Sequence, residues 1–333
     1  MKAAVFRYLL VSAFACAMAL FIAQSDAVAR DYAEAGSAAI EVRYETWHDA
    51  KRNRDVPVKI IAPSTGVEPL PVILFSHGLG GSVEGGKLWG EHWASHGYIV
   101  VHLQHPGSDE AVWKGAPAAD RRTALKQAAG SANLLLRVGD ARFAIDEVLR
   151  RKAAGEERWK RADTARIGMS GHSFGAHTTL AVAGQGFPVA GVPSAPDSRV
   201  KAAIAFSPAA NRRAGPLDAQ FGGIRMPMLS FTGSKDADVI GNGTTPADRV
   251  LPYENMPAPD KYLAFFDGGD HMVFGGHEGR RKSDAREARI QKDVKALSLA
   301  FWDAYLKGDA GARDWLKRDA MRILAAEDQF KSK

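Results

Sequence analysis

The 333-residue sequence contains a single cysteine, Cys16, close to its N-terminus. One cysteine cannot form an internal disulfide, so the fold must be held together by packing alone. Long basic runs and aromatic residues set between basic ones are also missing, although the formal net charge is +6. Because Lys and Arg are interspersed with Asp and Glu, we expect a solvated basic surface and no nucleic-acid partner.

Two common ligand-binding motifs are absent as well. His92 and His96 lie four residues apart on a predicted helix, but no glutamate between them completes the H-E-x-x-H pattern of zinc enzymes. The segment "GLGGSVEGG" lacks the Gly-Lys-Ser/Thr ending of a phosphate-binding loop. We therefore expect no metal and no cofactor, and we interpret the two histidines as packing or surface residues.

What is present at the N-terminus is an apolar run, residues 8–23, with two basic residues before it and Ala27-Val28-Ala29 after it. This order predicts a secretory signal peptide over residues 1–29, cleaved before Arg30. An uncleaved membrane anchor and a lipoprotein at Cys16 stay as alternatives, although the run is short for a span and Phe14 is bulky for a lipoprotein site. We expect an exported protein, periplasmic or secreted, with no stable membrane insertion after cleavage.

Beyond residue 29, short apolar runs alternate with segments of helical periodicity, which predicts an α/β fold. We expect a mostly parallel central sheet with helices on both faces and an antiparallel N-terminal edge formed by strands at 40–47 and 56–62. No repeat or linker divides the chain, so residues 30–333 are predicted to form one domain. Residues 106–131 fit neither period, and a loop of that length in a compact domain favours a lid over the strand ends.

The segment "RIGMSGHSFGAHTTL" places Ser173 in a G-x-S-x-G pattern between a predicted strand and a helix-permissive run. By composition such a pattern arises by chance in roughly 0.2 of similar chains, so its context must decide. A serine nucleophile needs a base within hydrogen-bond reach and an acid that orients the base. When the serine lies on a strand-to-helix turn, these partners follow in the order Ser, Asp/Glu, His.

Both partners have candidates at the expected places. Asp236 and Asp238 follow the strand in "MLSFTGSKDADV", and the turn at Gly233 favours Asp236 over Asp238. In "FFDGGDHMVFGG", His271 lies beyond the last strand between glycines and is favoured over His277.

The oxyanion requires backbone N–H donors, which we assign to Phe174 after the nucleophile and to Leu79 in "SHGLGG". His172 is adjacent to Ser173 and must point away from it, so we expect a structural role. His105 is predicted to lie near the active face, as a structural residue or as support for the site.

The segments "FSHGLGG", "GHSFGAHT", "TGSKDAD" and "DGGDHMVFGG" together resemble an α/β-hydrolase branch. That branch contains predicted dienelactone hydrolases and platelet-activating-factor acetylhydrolases, and the likeness extends more loosely to cutinase-like polyester hydrolases. It implies Ser173 as nucleophile, Asp236 and His271 as acid and base, and Phe174 and Leu79 as oxyanion donors. The chain departs from these families at Ala176, where the acetylhydrolases have a second glycine. It also lacks the nucleophilic cysteine of true dienelactone hydrolases and the paired cysteines of cutinases.

Together these features predict an exported serine hydrolase that cleaves small-molecule or lipid carboxylic esters through an acyl-enzyme. Short or medium acyl chains are implied by the resemblance alone. An acyltransferase or peptidase on the same fold is the nearest alternative, since it would keep the triad. A non-catalytic binding module is the alternative of another class, and it should have lost a triad member. The sequence leaves the oligomeric state open.

Overall fold

The computed structural model of the chain describes residues 31–66, 69–191, 193–277 and 285–333. The predicted signal peptide and Cys16 lie outside the described residues. Ala33–Lys333 forms one compact unit. In the ranges described, no helix is both long enough and apolar enough to cross a membrane.

A central sheet forms the middle of this unit. Its strands are β1 Ile40–Asp49, β2 Arg54–Pro63, β3 Leu70–Ser76, β4 Ile99–Leu103, β5 Ala162–His172, β6 Val200–Phe206, β7 Met228–Lys235, β8 Lys261–Asp270 and β9 Gln329–Ser332. Their order in the sheet is β1-β2-β4-β3-β5-β6-β7-β8-β9. The strands from β3 to β8 run parallel, whereas β1 and β2 form an antiparallel edge and β9 is antiparallel to β8. The predicted mostly parallel sheet with an antiparallel N-terminal edge is confirmed.

Helices connect the strands and flank the sheet. They are α1 Lys87–Ser95, α2 Ala111–Lys114, α3 Arg121–Ala128, α4 Ser131–Ala153, α5 Phe174–Ala183, α6 Leu217–Phe221, α7 Pro246–Asn255, α8 Ala285–Trp302 and α9 Ala310–Arg318. A π-helical turn, Asp303–Lys307, continues α8.

Alternating side chains of the buried strands divide the core between the two faces of the sheet. Val72 and Leu74 of β3 point to the face covered by α4, where Ala144 and Ile145 belong to the same apolar cluster. On the other face, Phe75 lies 6.5 Å from Trp93 of α1, measured between ring centroids. Helices therefore cover both faces, as the alternating pattern predicts.

Two parts of the fold differ from the sequence expectation. The edge strand β9 was not predicted, because its four residues are partly or fully exposed and show no apolar alternation. The segment 106–131, expected as an irregular lid, contains the short helices α2 and α3. Only one residue of α3 and none of α2 is buried, so neither helix has the apolar stripe by which helical periodicity is recognised.

Candidate active site

Ser173 occupies a sharp turn between β5 and α5. Its φ of 56° and ψ of −114° are strained for a residue with a side chain. A Cβ on Gly175 would lie 1.9 Å from the carbonyl oxygen of Ser76, and a Cβ on Gly171 would lie 2.4 Å from the carbonyl oxygen of Gly175. The G-x-S-x-G pattern is therefore a packing requirement, since only glycine lets α5 begin this close to the end of β3.

The side chains of Ser173, His271 and Asp236 form one hydrogen-bonded chain. His271 Nε2 lies 2.9 Å from Ser173 Oγ, and its Nδ1 lies 2.7 Å from Asp236 Oδ1. Asp236 follows β7 and His271 follows β8, and the carboxyl ends of parallel strands meet at one edge of the sheet. Because a carboxylate only accepts hydrogen bonds, Nδ1 of His271 carries the proton and Nε2 is free to accept one from Ser173.

Asp236 is completely buried and has further partners besides His271. Thr232 Oγ1 donates a hydrogen bond of 2.8 Å to Oδ2 of Asp236. Arg249 of α7 places Nε 2.7 Å from Oδ1 of Asp236, and its Nη1 donates to the carbonyl oxygen of Ser207. The buried carboxylate is thus compensated by hydrogen bonds and by a buried positive charge.

The alternative acid, Asp238, has a different role in the structure. Its carboxylate accepts hydrogen bonds of 2.7 Å from the backbone N–H groups of Ile240, Gly241 and Gly243. It therefore closes the turn after β7. In the same way, it is His271, rather than the alternative His277, that makes the hydrogen bond with Ser173.

His172 supports the loop that carries His271. Its Nε2 lies 2.9 Å from the carbonyl oxygen of His271, and the two rings are 4.7 Å apart between centroids. Burial, reinforced by the neighbouring His271, holds the pKa of His172 well below its usual value. A neutral His172 that carries its proton on Nε2 donates to that carbonyl.

The two predicted oxyanion donors lie on segments that the structure brings together. Phe174 is the first residue of α5, so its backbone N–H has no acceptor within the helix. Leu79 belongs to the loop after β3, which we call the oxyanion loop (residues 77–80). Within that loop, a Cβ on Gly78 would lie 3.5 Å from the Cβ of Ser173. The oxyanion loop therefore packs directly against the turn that carries Ser173.

The predicted lid contacts the rim of this site on two sides. Trp113 Nε1 of α2 donates a hydrogen bond of 2.7 Å to the carbonyl oxygen of Gly80. On the far side, a Cβ on Gly241, in the turn after Asp236, would lie 2.3 Å from Arg122 Nη2 of α3. Helices α2 and α3 thus reach from the oxyanion loop to the loop of the acid.

The other histidines considered as candidates, His92, His96 and His105, contact neighbouring side chains and backbone. The rings of His92 and His96 are 4.7 Å apart, and His96 Nδ1 lies 2.8 Å from the carbonyl oxygen of His92. Within the described ranges, no group of three or more His, Cys, Asp or Glu residues is placed to hold a metal ion. His105 lies between Ser76 and Asp140, at 2.9 Å and 3.0 Å.

Sequence reasoning did not identify two buried arginines near the site, Arg249 and Arg137. Arg249 lies thirteen residues beyond Asp236 on a helix of mixed composition, and nothing in its spacing marks it. Arg137 offers a weak signal, because Arg137 and Asp140 share one face of α4 with the buried Ala141 and Ala144. A charged pair at i and i+3 within an apolar face predicts a buried polar network.

The comparison with known families concerns the first part of this unit. Residues 35–127 match the model of the family described as platelet-activating factor acetylhydrolase, isoform II, and they make up less than a third of the chain. The matched segment includes Leu79, helix α2 and all but the last residue of helix α3, and it ends before Ser173, Asp236 and His271. A search of curated proteins found no match. The matched family is described as an acetylhydrolase, so the match favours hydrolysis of ester bonds. We conclude that the chain has an α/β-hydrolase fold and that its residues 35–127 are similar to this acetylhydrolase family.

Proposed function

We propose that this protein is an exported serine hydrolase that cleaves carboxylic esters with short or medium acyl chains. The observation that carries the proposal is the continuous chain of hydrogen bonds from Ser173 Oγ through His271 to the buried Asp236. A serine with both partners in place has what nucleophilic catalysis needs. The similarity of residues 35–127 to an acetylhydrolase family supports an ester as the substrate.

In the first half of the reaction, Ser173 Oγ attacks the carbonyl carbon of the ester while His271 Nε2 takes the hydroxyl proton. The carbonyl oxygen becomes an oxyanion, which the backbone N–H groups of Phe174 and Leu79 stabilise. Asp236 orients the ring and stabilises the imidazolium. When the tetrahedral intermediate collapses, the bond to the leaving oxygen breaks, and His271 returns the proton to the departing alcohol.

In the second half, water replaces the alcohol. His271 takes a proton from the water as the oxygen attacks the acyl carbon of the Ser173 ester. Collapse of this second intermediate breaks the bond to Oγ, returns the proton to Ser173 and releases the carboxylic acid. His271 moves the proton in each step, and neither half of the reaction changes an oxidation state, so no oxidant or reductant is needed.

Fluorophosphonate labelling tests the nucleophile. The folded wild-type protein should be labelled on Ser173, and Ser173→Ala should be neither labelled nor active. A matched control is Ser198→Ala, because Ser198 is exposed in the loop before β6. Failure of the folded wild type to react would overturn the proposal.

Substrate class is tested with p-nitrophenyl esters from acetate to octanoate, measured as kcat/KM. We expect turnover to be highest at the short or medium end of the series. Activity confined to amides, or seen only with an added acyl acceptor, would identify a peptidase or an acyltransferase instead.

Export is tested by N-terminal sequencing of the mature protein, which should begin at Arg30, whereas an uncut membrane-bound chain would contradict it.

A further inference from the structure

A buried arginine lies directly behind the oxyanion loop. Arg137 of α4 is 0% exposed, and it donates hydrogen bonds to Ser108 Oγ at 2.9 Å and to Thr178 Oγ1 at 3.1 Å. Its Nη2 donates to Ser76 Oγ at 3.2 Å and also to the carbonyl oxygen of His77. Burying a guanidinium is costly unless it is fully hydrogen-bonded, and here β3, α5 and the segment after β4 supply the acceptors.

Ser76, one of these acceptors, begins a second Ser–His–Asp chain that the proposed reaction does not use. Ser76 Oγ lies 2.9 Å from His105 Nε2, and His105 Nδ1 lies 3.0 Å from Asp140 Oδ2. Burial lowers the pKa of His105 to about 4, so the ring is neutral at pH 7. With its proton on Nδ1 facing Asp140, His105 accepts from Ser76, and Ser76 Oγ in turn accepts from Arg137.

This second chain cannot be another catalytic triad, because Ser76, His105 and Asp140 are all 0% exposed. Asp140 instead forms ion pairs of 2.8 Å to Arg52, in the turn after β1, and of 2.7 Å to Arg54, the first residue of β2. Although burial alone would raise it, the pKa of Asp140 is held well below its usual value by hydrogen bonds from His105 and Arg54. The Ser76–His105–Asp140 chain is thus a buried hydrogen-bond network, and its carboxylate is paired with two arginines near the edge of the sheet.

Through Arg137, this network contacts the two segments that carry the predicted oxyanion donors. Arg137 holds the carbonyl of His77, two residues before Leu79, and the backbone N–H of His105 donates to His77 Nε2 at 3.1 Å. The same guanidinium lies 4.6 Å from the ring centroid of Phe174, within the range of a cation–π contact. One side chain therefore touches both sides of the predicted oxyanion hole.

We propose that Arg137 is a positioning residue that sets the relative placement of the Leu79 and Phe174 amides, and that the Ser76–His105–Asp140 chain holds it in place. The inference rests on the proposed esterase function. An oxyanion exists only in the transition state and intermediate, so misplaced amides lower kcat and leave substrate binding nearly unchanged. A shift of about 1 Å in such groups can cost about a hundredfold in rate.

The test compares Arg137→Met and Arg137→Lys with Arg142→Met. Arg142 lies on the same helix, but it is partly exposed and bonds to the carbonyl oxygen of Ala195. For p-nitrophenyl acetate we expect kcat to fall about tenfold to a hundredfold in Arg137→Met, with KM within about threefold of wild type. Arg137→Lys should recover part of the loss, because a lysine keeps the charge but loses the fork of donors. Arg142→Met should match wild type.

An alkyl boronic acid supplies a readout that a merely structural effect would not move. Its adduct with Ser173 Oγ places a negatively charged boronate at the oxyanion position, so its inhibition constant should rise by the same factor by which kcat falls. Thermal unfolding of each variant shows whether the protein is folded at the assay temperature. A folded Arg137→Met that keeps the kcat and boronate affinity of Arg142→Met would overturn the inference.

If Arg137→Met does not fold, milder variants decide. Thr178→Val and Ser108→Ala each remove one acceptor of Arg137, and each should lower kcat about twofold to tenfold with little change in KM. Unchanged kcat in both folded variants would equally refute the inference. Failure of wild type itself to label or turn over would instead refute the proposed function, so the two failures are distinguishable.

Discussion

Asp236 and Asp238 lie two residues apart, and their surroundings give the two carboxylates different roles. Asp236 is buried against the ring of His271, whereas Asp238 is bonded to backbone N–H groups of its own turn. A carboxylate that orients a catalytic histidine fixes its tautomer and stabilises the imidazolium. The same carboxylate in a turn only stabilises the local backbone.

This difference predicts unequal effects of the same substitution. In Asp236→Asn we expect kcat on p-nitrophenyl acetate to fall about 10³- to 10⁴-fold, because a neutral amide neither holds the tautomer nor stabilises the imidazolium. Asp238→Asn, as the matched control, should keep kcat within about threefold and lose some stability. Comparable losses of kcat in the two folded variants would show that the acid has been assigned to the wrong residue.

At the scale of elements, the site is built where strands end. Strands β3, β5, β7 and β8 are parallel, so the loops that follow them converge on one edge of the sheet. Helices α2 and α3, which form the predicted lid, contact both the oxyanion loop and the turn after Asp236. Of the residues in these two helices, only Ala128 is buried.

One of those contacts is the hydrogen bond from Trp113 Nε1 to the carbonyl oxygen of Gly80. Replacing this tryptophan with phenylalanine removes the hydrogen bond and keeps an aromatic ring. Trp113→Phe should loosen α2 and admit longer acyl chains, raising the octanoate-to-acetate ratio of kcat/KM about fivefold, as expected for one hydrogen bond. Trp315→Phe on α9 is the matched control and should leave the ratio unchanged. An unaltered ratio in Trp113→Phe would show that the lid does not limit acyl length.

At the scale of the whole molecule, stability depends on neutral histidines inside the unit. Burial lowers the pKa of His102 to about 4, and the nearby positive charge of Lys59 acts in the same direction. His102 Nδ1 faces the carbonyl oxygen of Gly85 at 2.9 Å, but its buried Nε2 has no hydrogen-bond partner in the described part of the chain. A second proton on this ring would therefore be a buried charge without an acceptor.

The sign of the pH dependence follows from the lowered pKa. Above pH 6.5 His102 is neutral in both states and contributes no pH dependence, but between about pH 6.5 and 4 only the unfolded chain takes up the proton. The free energy of unfolding should fall over that interval, with His102 contributing on the order of 3 kcal/mol.

Denaturant unfolding at several pH values measures this loss. His102→Asn keeps a donor for Gly85 but cannot titrate, so it should lose less stability between pH 7 and 4 than wild type does. Ser198→Ala, at an exposed and non-titrating side chain before β6, is the control and should keep the wild-type slope. A slope in His102→Asn equal to that of wild type would show that His102 does not govern the acid sensitivity.

The sequence by itself predicted the parallel sheet and the three candidate catalytic side chains. Short apolar runs that alternate with helical segments predicted the parallel sheet, because strands buried on both faces must be apolar throughout. Ser173, Asp236 and His271 were predicted because each stands just after a strand, and parallel strands end at one edge. These signals need only local patterns and the order in which they follow one another along the chain.

What only the tertiary structure decided is the set of partners that come from distant segments. Arg137, Ser76 and His105 meet behind the oxyanion loop, although 61 residues separate Arg137 from Ser76. Arg249 reaches Asp236 from helix α7, and β9, at residues 329–332, pairs with β8. Apart from the Arg137–Asp140 spacing on α4, no local pattern marks these contacts. A buried charge is tolerated only where distant segments bring hydrogen-bond partners to it, and that depends on where the whole fold places those segments.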